Sequence, residues 1–244
     1  MKNSLYLFGL VFLVMPTVLQ AQEESFPCEC CNTELKQLFQ GKTLPSLYVH
    51  ACNGPGLSLL SSSFLKAGGT APKIIEYPND PPDDSEYVAW TCRYSAGNLM
   101  DENPTTAWVE GVDGQGEGEV IFVPCLDLSK PVEIWAGYGK SSAVYAANSR
   151  PKRVKLIVVS AKYAGASQYG TTYSDLRAVA QQEVTLKDVN GYQTLSIPTF
   201  KRETYYWAEQ EQTRDFDYFL GIEILEVYKG TKYTDTCISE VRNK

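Results

Sequence analysis

The pattern that most constrains this chain's fold is a series of short apolar runs, separated by turn residues, that begins near residue 86. The runs are rich in Val, Ile, Tyr and Phe, which pack well on a pleated, half-buried surface. In one run Leu220, Ile222 and Ile224 alternate with Gly221 and Glu223, so one face points inward and the other can contact water. Strands are predicted over residues 87–92, 119–123, 132–136, 154–160, 183–187, 193–197, 219–228 and 237–241. Eight antiparallel strands of this length predict an all-β fold, a two-sheet, eight-stranded jelly-roll β-sandwich.

Two polar, tyrosine-rich segments lie between the predicted strands. Residues 161–182 and 201–217 are expected to form long surface loops, because polar connecting segments run over the surface of a domain. A short helix around residues 175–182 is the alternative for the first segment.

The first 21 residues have the composition of a secretory signal peptide. Lys2 precedes an apolar run over residues 5–15, which is followed by Pro16 and by Ala21 before a polar stretch, as such peptides require. This run is shorter than the roughly 20 apolar residues that a membrane helix needs, and nothing downstream approaches that length. The sequence therefore predicts a secreted protein, extracellular or periplasmic, without a membrane span.

The charge of the chain indicates which partners to expect. It has 22 Lys and Arg against 29 Asp and Glu, a formal net charge of −7, and the basic residues are scattered. Nucleic-acid binding needs clustered basic residues, so no nucleic-acid partner is predicted.

Seven cysteines follow the predicted signal peptide, and disulfides persist in an exported protein. They are Cys28, Cys30, Cys31, Cys52, Cys92, Cys125 and Cys237. The odd number leaves one thiol over, and Cys237 is predicted to be that thiol, free and buried. The N-terminal cysteines are predicted to form disulfides that staple this segment. The alternative is a zinc site drawn from Cys28, Cys30, Cys31, His50 and Cys52, because thiolate and imidazole are the ligands that zinc prefers.

A boundary is predicted where residues 67–86 become dense in Pro, Gly and Asp, since such a stretch makes a poor helix or central strand. Residues 22–85 would then form a small cysteine-containing N-terminal extension and linker, and residues 86–244 the β-sandwich domain. The extension contains one short helical candidate, residues 34–39, which is too small to make a core alone.

A turn between the first two predicted strands contains several oxygen ligands. Asp101, Asn103 and Thr106 bring a carboxylate, backbone carbonyls and a hydroxyl together within a few residues, and Ca²⁺ prefers hard oxygen ligands of this kind. Trp108, which leaves the turn, is predicted to enter the core because a single large aromatic at a strand start usually packs there.

Five ordered segments resemble one family. They are Thr106-Ala-Trp-Val-Glu-Gly111, Gly114-Gln-Gly-Glu-Gly-Glu119, Gly137-Tyr-Gly-Lys-Ser141, Asn148-Ser-Arg-Pro-Lys-Arg153 and Tyr228-Lys-Gly-Thr-Lys-Tyr-Thr-Asp-Thr-Cys-Ile-Ser-Glu240. Together they resemble the NADase-type glycan-binding domain, a branch of the discoidin-like or coagulation-factor type C domains of the galactose-binding-like superfamily. The resemblance implies a binding module, similar to the accessory module of an NAD glycohydrolase that serves in translocation rather than in the chemistry.

The resemblance also implies a calcium site made by the first loop and a glutamate near the C-terminus. The matching residues are Asp101, Asn103, Thr106 and Glu240. Many relatives carry Gly where this chain has Glu102, and a side chain there is unfavourable in a positive-φ turn. The alternative is a hydrogen-bonded Asx-type turn in which Glu240 caps backbone amides.

Other matched residues in turns mix aromatic and charged groups, as polyol-binding sites do. The predicted ligand-binding residues are Glu110, Tyr138, Lys140, Asn148, Arg150, Lys232, Tyr233 and Asp235, and they are expected to converge on one rim of the sandwich. The alternative is that Lys140, Arg150, Glu110 and Asp235 pair with one another only to hold the long loops.

The predicted function is a non-catalytic module that recognises carbohydrate or another cell-surface ligand. One alternative is a protein-interaction or translocation-accessory module that binds no sugar. The other is a hydrolase acting on glycans or NAD, in which Glu110 and Asp101 would serve as the pair of carboxyl groups that glycoside hydrolysis requires. The carboxylates are more simply explained as ligands, so no enzymatic activity is predicted.

Overall fold

The computed structural model describes residues 31–50 and 60–244. The predicted signal peptide, residues 1–21, and the predictions for Cys28, Cys30 and Cys52 lie outside the described residues. Among the helices that are described, none has the length and apolar character needed to cross a membrane.

Most of the secondary structure is β-strand. The described strands are β1 (Leu44–His50), β2 (Trp108–Val109), β3 (Val120–Val123), β4 (Val132–Trp135), β5 (Arg150–Ala166), β6 (Gly170–Thr185), β7 (Gln193–Leu195), β8 (Thr204–Trp207), β9 (Gln212–Asp215), β10 (Asp217–Tyr228), β11 (Cys237–Ile238) and β12 (Glu240–Asn243). The α-helices are α1 (Lys36–Phe39), α2 (Ser85–Thr91) and α3 (Ser142–Ala147), and short 3₁₀ helices cover Thr33–Leu35, Ala96–Met100 and Ala208–Gln210.

Antiparallel pairing organises these strands into one large and three small sheets. The large sheet has the order β1-β6-β5-β10-β3, and the next in size has the order β12-β4-β7. Two-stranded ribbons are formed by β11 with β2 and by β8 with β9. The all-β sandwich class predicted from the sequence is therefore confirmed, but the predicted count of eight strands is too low, because twelve are present in the described residues.

The core includes both faces of the central strand β5. Leu156 and Ile157, which are adjacent and so point to opposite faces, are both fully buried. One face is covered by helix α1. Phe39 of this helix and Ile157 of β5 both lie against Gly221 of β10, where a Cβ would be 2.9 Å from Phe39 and 2.7 Å from Ile157. The face of β10 that contains Gly221, which was expected to be open to water, is thus closed by the N-terminal helix.

The predicted strand over residues 87–92 is wrong, because this segment forms helix α2. The reason is a local N-terminal signal. The backbone N–H of Ser85 donates to Asp83 Oδ1 at 3.0 Å, and Glu86 places an acidic side chain in the first turn. A polar acceptor before the helix and an acid at its start both favour helix over strand.

The two segments predicted to be loops are also mainly strand. Residues 161–182 complete β5 and most of β6, which form a long hairpin closed by a hydrogen bond from Ser167 N to Gly170 O of 2.8 Å. Residues 201–217 contain the β8–β9 hairpin. Both are polar because much of their surface faces solvent, and polar strands are difficult to distinguish from loops by hydrophobic periodicity.

The N-terminal extension contributes to the same core as the sandwich. The helix predicted over residues 34–39 is confirmed as a 3₁₀ turn followed by α1, and strand β1 pairs with β6. Leu35, Leu38 and Leu44 are buried within the main hydrophobic cluster. Lys36 Nζ also contacts Glu119 Oε1 at 2.5 Å. The domain boundary at residue 86 stays a prediction.

Candidate cation loop and ligand pocket

A two-residue ribbon joins the matched segments that carry the candidate sites. Val109 of β2 pairs with Cys237 of β11, and Trp108 pairs with Ile238. Trp108 is fully buried, as predicted, and its Nε1 donates to Ser63 O at 2.9 Å. The Trp108–Ile238 end of the ribbon is next to the loop of residues 101–106. The Val109–Cys237 end leads to residue 110.

The first end of the ribbon holds a tightly bonded polar loop. Asp101 Oδ1 accepts from Asn103 N at 2.9 Å, and its Oδ2 accepts from Thr106 Oγ1 at 2.6 Å. Asn103 Oδ1 accepts from Thr105 Oγ1 at 2.7 Å. The three residues predicted as metal ligands are therefore in one turn, and the bonds are those of an Asx-type turn.

Glu240 completes this loop from the start of β12. It is fully buried, and its Oε1 accepts from Asn103 N at 3.2 Å, whereas its Oε2 is a buried oxygen with no hydrogen-bond partner among the described residues. Burial raises the pKa of Glu240 to about 8, and the adjacent Asp101 carboxyl group adds to the shift. Two carboxyl groups in contact need a shared proton or a cation between them.

Glu102 has a left-handed backbone conformation, with φ of 59°. The departure from Gly noted in the sequence therefore falls on a positive-φ residue, where a Cβ introduces strain. The loop accommodates this strain in an exposed turn.

The second end of the ribbon holds another buried glutamate. Glu110 is fully buried, and its two oxygens accept from Val112 N at 2.9 Å and Thr236 N at 3.3 Å. Burial raises the pKa of Glu110 to about 7, although these two backbone hydrogen bonds oppose the shift. Gly116 lies directly on this side chain, since a Cβ there would be 2.5 Å from Glu110 Cγ. Glu110 therefore fixes the loop instead of facing a ligand.

Above this end lies an open pocket of about 320 Å³. Its wall consists of two polar loops and one buried serine: Gly114, Gln115, Ser149, Lys229, Gly230, Thr231, Lys232, Tyr233 and Thr234. Lys232 and Tyr233 are the members of the predicted ligand-binding set that line it. Tyr233 has 46% of its surface exposed, so its ring is available to a ligand.

The loop of residues 229–234 is held against the end of helix α3. The backbone N–H groups of Lys232 and Tyr233 both donate to Ala147 O, at 3.0 Å and 2.8 Å. Gly230 N donates to Ser149 Oγ at 3.0 Å, and a Cβ at Gly230 would lie 2.5 Å from Ala147 O. This close approach requires glycine, and it makes the pocket wall rigid.

Arg150 is directed into a different cluster. Its Nε and Nη2 each donate to Asp188 at 2.6 Å, and Tyr145 OH donates to the same carboxylate at 2.9 Å. The guanidinium carbon lies 4.8 Å from the centroid of the Tyr145 ring. The proposed pairing of Arg150 with Glu110 or Asp235 is therefore wrong. Asp188 was missed because it lies in the connection between β6 and β7, outside the five matched segments.

The remaining predicted residues are spread around the fold. Tyr138 packs on the small cluster around Cys237, where burial raises the pKa of its hydroxyl. Asn148 Nδ2 donates to Val144 O at the end of α3, at 2.8 Å. Lys140 is exposed and Asp235 is half-buried. The structure thus brings Lys232 and Tyr233 together at the pocket, but it does not bring Tyr138 or Arg150 to its wall.

Cys237 is free and buried, as predicted from the odd number of cysteines. Burial strongly raises the pKa of its thiol, so it stays protonated and unreactive. Cys31, Cys92 and Cys125 are disulfide-bonded. In the part of the chain that the structure describes, no group of three or more His, Cys, Asp or Glu side chains could hold a metal ion. The N-terminal zinc alternative involves residues outside that part.

The β-sandwich fold is that of an F5/8 type C domain. Residues 84–244 match the model of the NAD glycohydrolase translocation F5/8 type C domain, so the chain belongs to that family. Among curated proteins, none matches the chain.

Two solved structures resemble the chain weakly. A GH29 fucosidase of Ruminococcus gnavus in complex with fucose aligns with 14% identity and a TM-score of 0.24, and a mutant of that enzyme in the same complex aligns with 14% identity and a TM-score of 0.26. Each alignment covers 62% of this chain but 23% of the fucosidase chain. The chain thus spans about a quarter of the length of those proteins.

Proposed function

We propose that this protein is a secreted, non-catalytic module that binds glycans on a cell surface through the pocket lined by residues 114–115, 149 and 229–234. The observation that carries the proposal is the pocket wall itself. It combines an exposed aromatic ring, Tyr233, with hydroxyl, amide and ammonium groups on a rigid loop. Sugar rings need this combination, because their C–H faces pack on aromatic rings and their hydroxyls need fixed polar partners.

The carboxylates that would have made an enzyme do not support one. Glu110 is fully buried with both oxygens bound by backbone N–H groups, and Asp101 lies beyond the opposite end of the β2–β11 ribbon. A glycosidase needs two carboxyl groups on either side of one accessible bond. The family model, which describes a translocation domain, is consistent with an accessory role.

Calcium is proposed as a structural ion in the loop of residues 101–106. Asp101, Asn103, Thr106 and Glu240 would hold it, and the fit rests on the unpartnered Oε2 of the buried Glu240 beside the Asp101 carboxyl group. Hard oxygen ligands and two adjacent carboxyl groups suit Ca²⁺, which would take the place of the shared proton. The ion would neutralise the two carboxylates and hold the loop against β12.

Glycan binding is tested by applying the mature protein to a glycan array and then measuring the affinity of Tyr233→Ala for any glycan it binds. We expect Tyr233→Ala to weaken binding about tenfold, because it removes the ring on which the sugar packs. Tyr169→Ala is the matched control, since Tyr169 is 52% exposed at the tip of the β5–β6 hairpin. Absence of binding to every glycan would refute the proposal and favour a protein partner.

Calcium binding is tested by thermal unfolding in excess calcium and in chelator. An ion that binds only the folded state raises the free energy of unfolding, by about 2.7 kcal/mol when its concentration is 100 times the dissociation constant. The melting temperature rises as a result. Asp101→Ala should abolish the response, whereas Asp113→Ala, an exposed acid elsewhere, should retain it. An unchanged melting temperature in the unmodified protein would refute the site.

A further inference from the structure

The charge of the pocket is opposite in sign to that of the whole chain. The chain has a formal net charge of −7, yet two of the residues that line the pocket are the exposed lysines Lys229 and Lys232. Within the described parts of the chain, no Asp or Glu lines it. The positive potential of such a pocket attracts anionic ligands, and no acidic side chain in its wall opposes that attraction.

The acidic side chains close to the pocket in sequence do not line it. Both oxygens of Glu110 accept backbone hydrogen bonds beneath Gly116. The charge of Asp235 adds to the effect of burial in raising the pKa of both Glu110 and the buried thiol of Cys237. Its carboxylate is therefore close to these inner groups. The exposed Asp113 precedes the pocket loop and does not line the pocket.

One of the two ammonium groups is held in place by the neighbouring aromatic ring. Lys232 Nζ lies 4.8 Å from the centroid of the Tyr233 ring, an attractive cation–π contact. The hydrogen bond between these side chains raises the pKa of Lys232, so the group remains charged. The ring and the ammonium group thus lie next to each other in the pocket wall.

Most backbone donors of the pocket loop of residues 229–234 are used within the fold. The N–H groups of Gly230, Lys232 and Tyr233 are all used within the fold, as is that of Thr231, which donates to Ala146 O. The side chains of this loop therefore offer the stronger donors, above all the two ammonium groups.

We propose that this pocket selects glycans that carry an anionic substituent, a carboxylate or a sulfate, and that Lys229 and Lys232 bind that substituent while Tyr233 packs on the sugar ring. The inference rests on the proposed function, because it names the class of glycan that the same pocket takes. The two anionic groups share one chemistry, so the experiment has to distinguish them.

The test compares one disaccharide in three forms. Immobilised lactose, sialylated lactose and sulfated lactose are titrated with the mature protein at low and at physiological salt. We expect at least one acidic form to bind about tenfold or more tightly than lactose at low salt, with the ratio falling as salt rises. The sialylated and sulfated arms identify which anionic group is recognised.

The lysines are tested by charge removal and charge conservation. Lys229→Gln with Lys232→Gln should abolish the preference for the acidic forms, so that all three forms bind with similar affinity, because both positive charges are removed. Lys229→Arg with Lys232→Arg should retain most of the preference. Lys201→Gln removes one exposed positive charge from another loop and serves as the matched control, with no change expected.

The outcomes separate this inference from the proposed function. Equal binding of all three forms, or a preference that survives the double Gln variant, would overturn the anionic selectivity while the glycan-binding function stood. If the protein bound none of the three forms and no glycan on the array, both the anionic selectivity and the glycan-binding function would be overturned. A preference lost in the Gln variant and kept in the Arg variant would support both.

Discussion

Glu110 and Glu240 are two fully buried glutamates at opposite ends of one short ribbon, and they differ in how their oxygens are satisfied. Burial raises the pKa of both, to about 7 and about 8. Glu110 has a backbone donor for each oxygen, whereas Glu240 has a donor for Oε1 and none for Oε2 among the described residues. Equal burial therefore does not imply an equal role. The first glutamate organises a loop, and the second has one buried oxygen without a hydrogen-bond partner, which is the oxygen that the proposed calcium ion would bind.

Glu119 shows what a cation does to a buried carboxylate in the same fold. Burial alone would raise its pKa, but hydrogen bonds from Lys36 and Ser62 bring the pKa below its ordinary value. Lys36 Nζ lies 2.5 Å from Oε1, and Ser62 Oγ lies 2.6 Å from Oε2. Both oxygens are satisfied and the charge is neutralised. Calcium beside Glu240 would have the same effect that Lys36 has on Glu119.

The largest difference between the two ribbon glutamates should appear on truncation. We expect Glu110→Ala to destabilise the protein by about 3 to 5 kcal/mol at pH 5, because it leaves the N–H groups of Val112 and Thr236 without their acceptor and opens a cavity beneath Gly116. Glu240→Ala in chelator should cost about 1 kcal/mol or less, since Asn103 N keeps its bond to Asp101 and the unpartnered oxygen is removed. Urea unfolding of both variants measures the difference. Equal losses would contradict the distinction.

The pH dependence of stability should distinguish the same two residues. A raised pKa means that the folded state holds its proton longer than the unfolded state. Each protonated glutamate therefore adds to the free energy of unfolding. This contribution is complete below the ordinary pKa of 4.5 and is lost as pH rises to about 7 for Glu110 and about 8 for Glu240. We expect the loss from Glu240 to be about 2 to 3 kcal/mol in chelator and to vanish in saturating calcium, which keeps the group ionised.

The measurement is a series of urea unfolding curves from pH 4.5 to 8.5, taken with and without calcium. Subtracting the curve of Glu240→Gln, which cannot titrate, isolates the contribution of Glu240 from those of other carboxyl groups. A difference curve that is flat in chelator would show that Glu240 is not the titrating group. One that is unaffected by calcium would show that the ion does not reach it.

The strands that the sequence predicted correctly are the ones with buried, β-branched cores. Val120, Ile134 and Val158, each fully or almost fully buried, lie in runs whose composition alone indicates a strand. The end of β6 was predicted as the strand over residues 183–187, but residues 170–182 were missed because Leu176 is the one buried residue of this strand. Helix α2 was missed because its aromatic and valine side chains suggested a strand, whereas the hydrogen bond from Ser85 N to Asp83 Oδ1 just before the helix favours helix.

The candidate site was predictable only in its local part. Asp101, Asn103 and Thr106 lie within six residues, so one turn brings them together whatever the fold. The rim required residues from separate segments to converge, and the direction of each side chain depends on partners distant in sequence. Arg150 was assigned to the rim, but Asp188 holds it elsewhere. The pocket lysine Lys229 was missed, although it lies beside Lys232 in the same matched segment.

A smaller effect is expected at Glu119, whose ion pair with Lys36 connects the N-terminal helix to the family domain. Lys36→Met removes the cation from Glu119 and keeps the aliphatic packing of the side chain. We expect a loss of about 2 kcal/mol near neutral pH, less than for a fully buried ion pair because 37% of the Lys36 side chain is exposed. The loss should diminish in acid as Glu119 becomes protonated. Lys42→Met, which alters an exposed lysine nearby, is the control in urea unfolding.

The smallest effect is expected at Glu102, where the loop of residues 101–106 contains its strained residue. Replacing it by Gly removes the cost of a Cβ at φ of 59°, which is about 1 to 2 kcal/mol. The same change makes the unfolded chain more flexible, which offsets about 0.5 to 1 kcal/mol of the gain. We therefore expect Glu102→Gly to stabilise the protein by about 0.5 to 1 kcal/mol, whereas Glu102→Ala, which retains the Cβ, should not. Thermal unfolding in chelator measures this without a contribution from calcium. If Glu102→Ala stabilised the protein as much as Glu102→Gly, the cause would be the removal of a negative charge beside Asp101 and Glu240 instead of backbone strain.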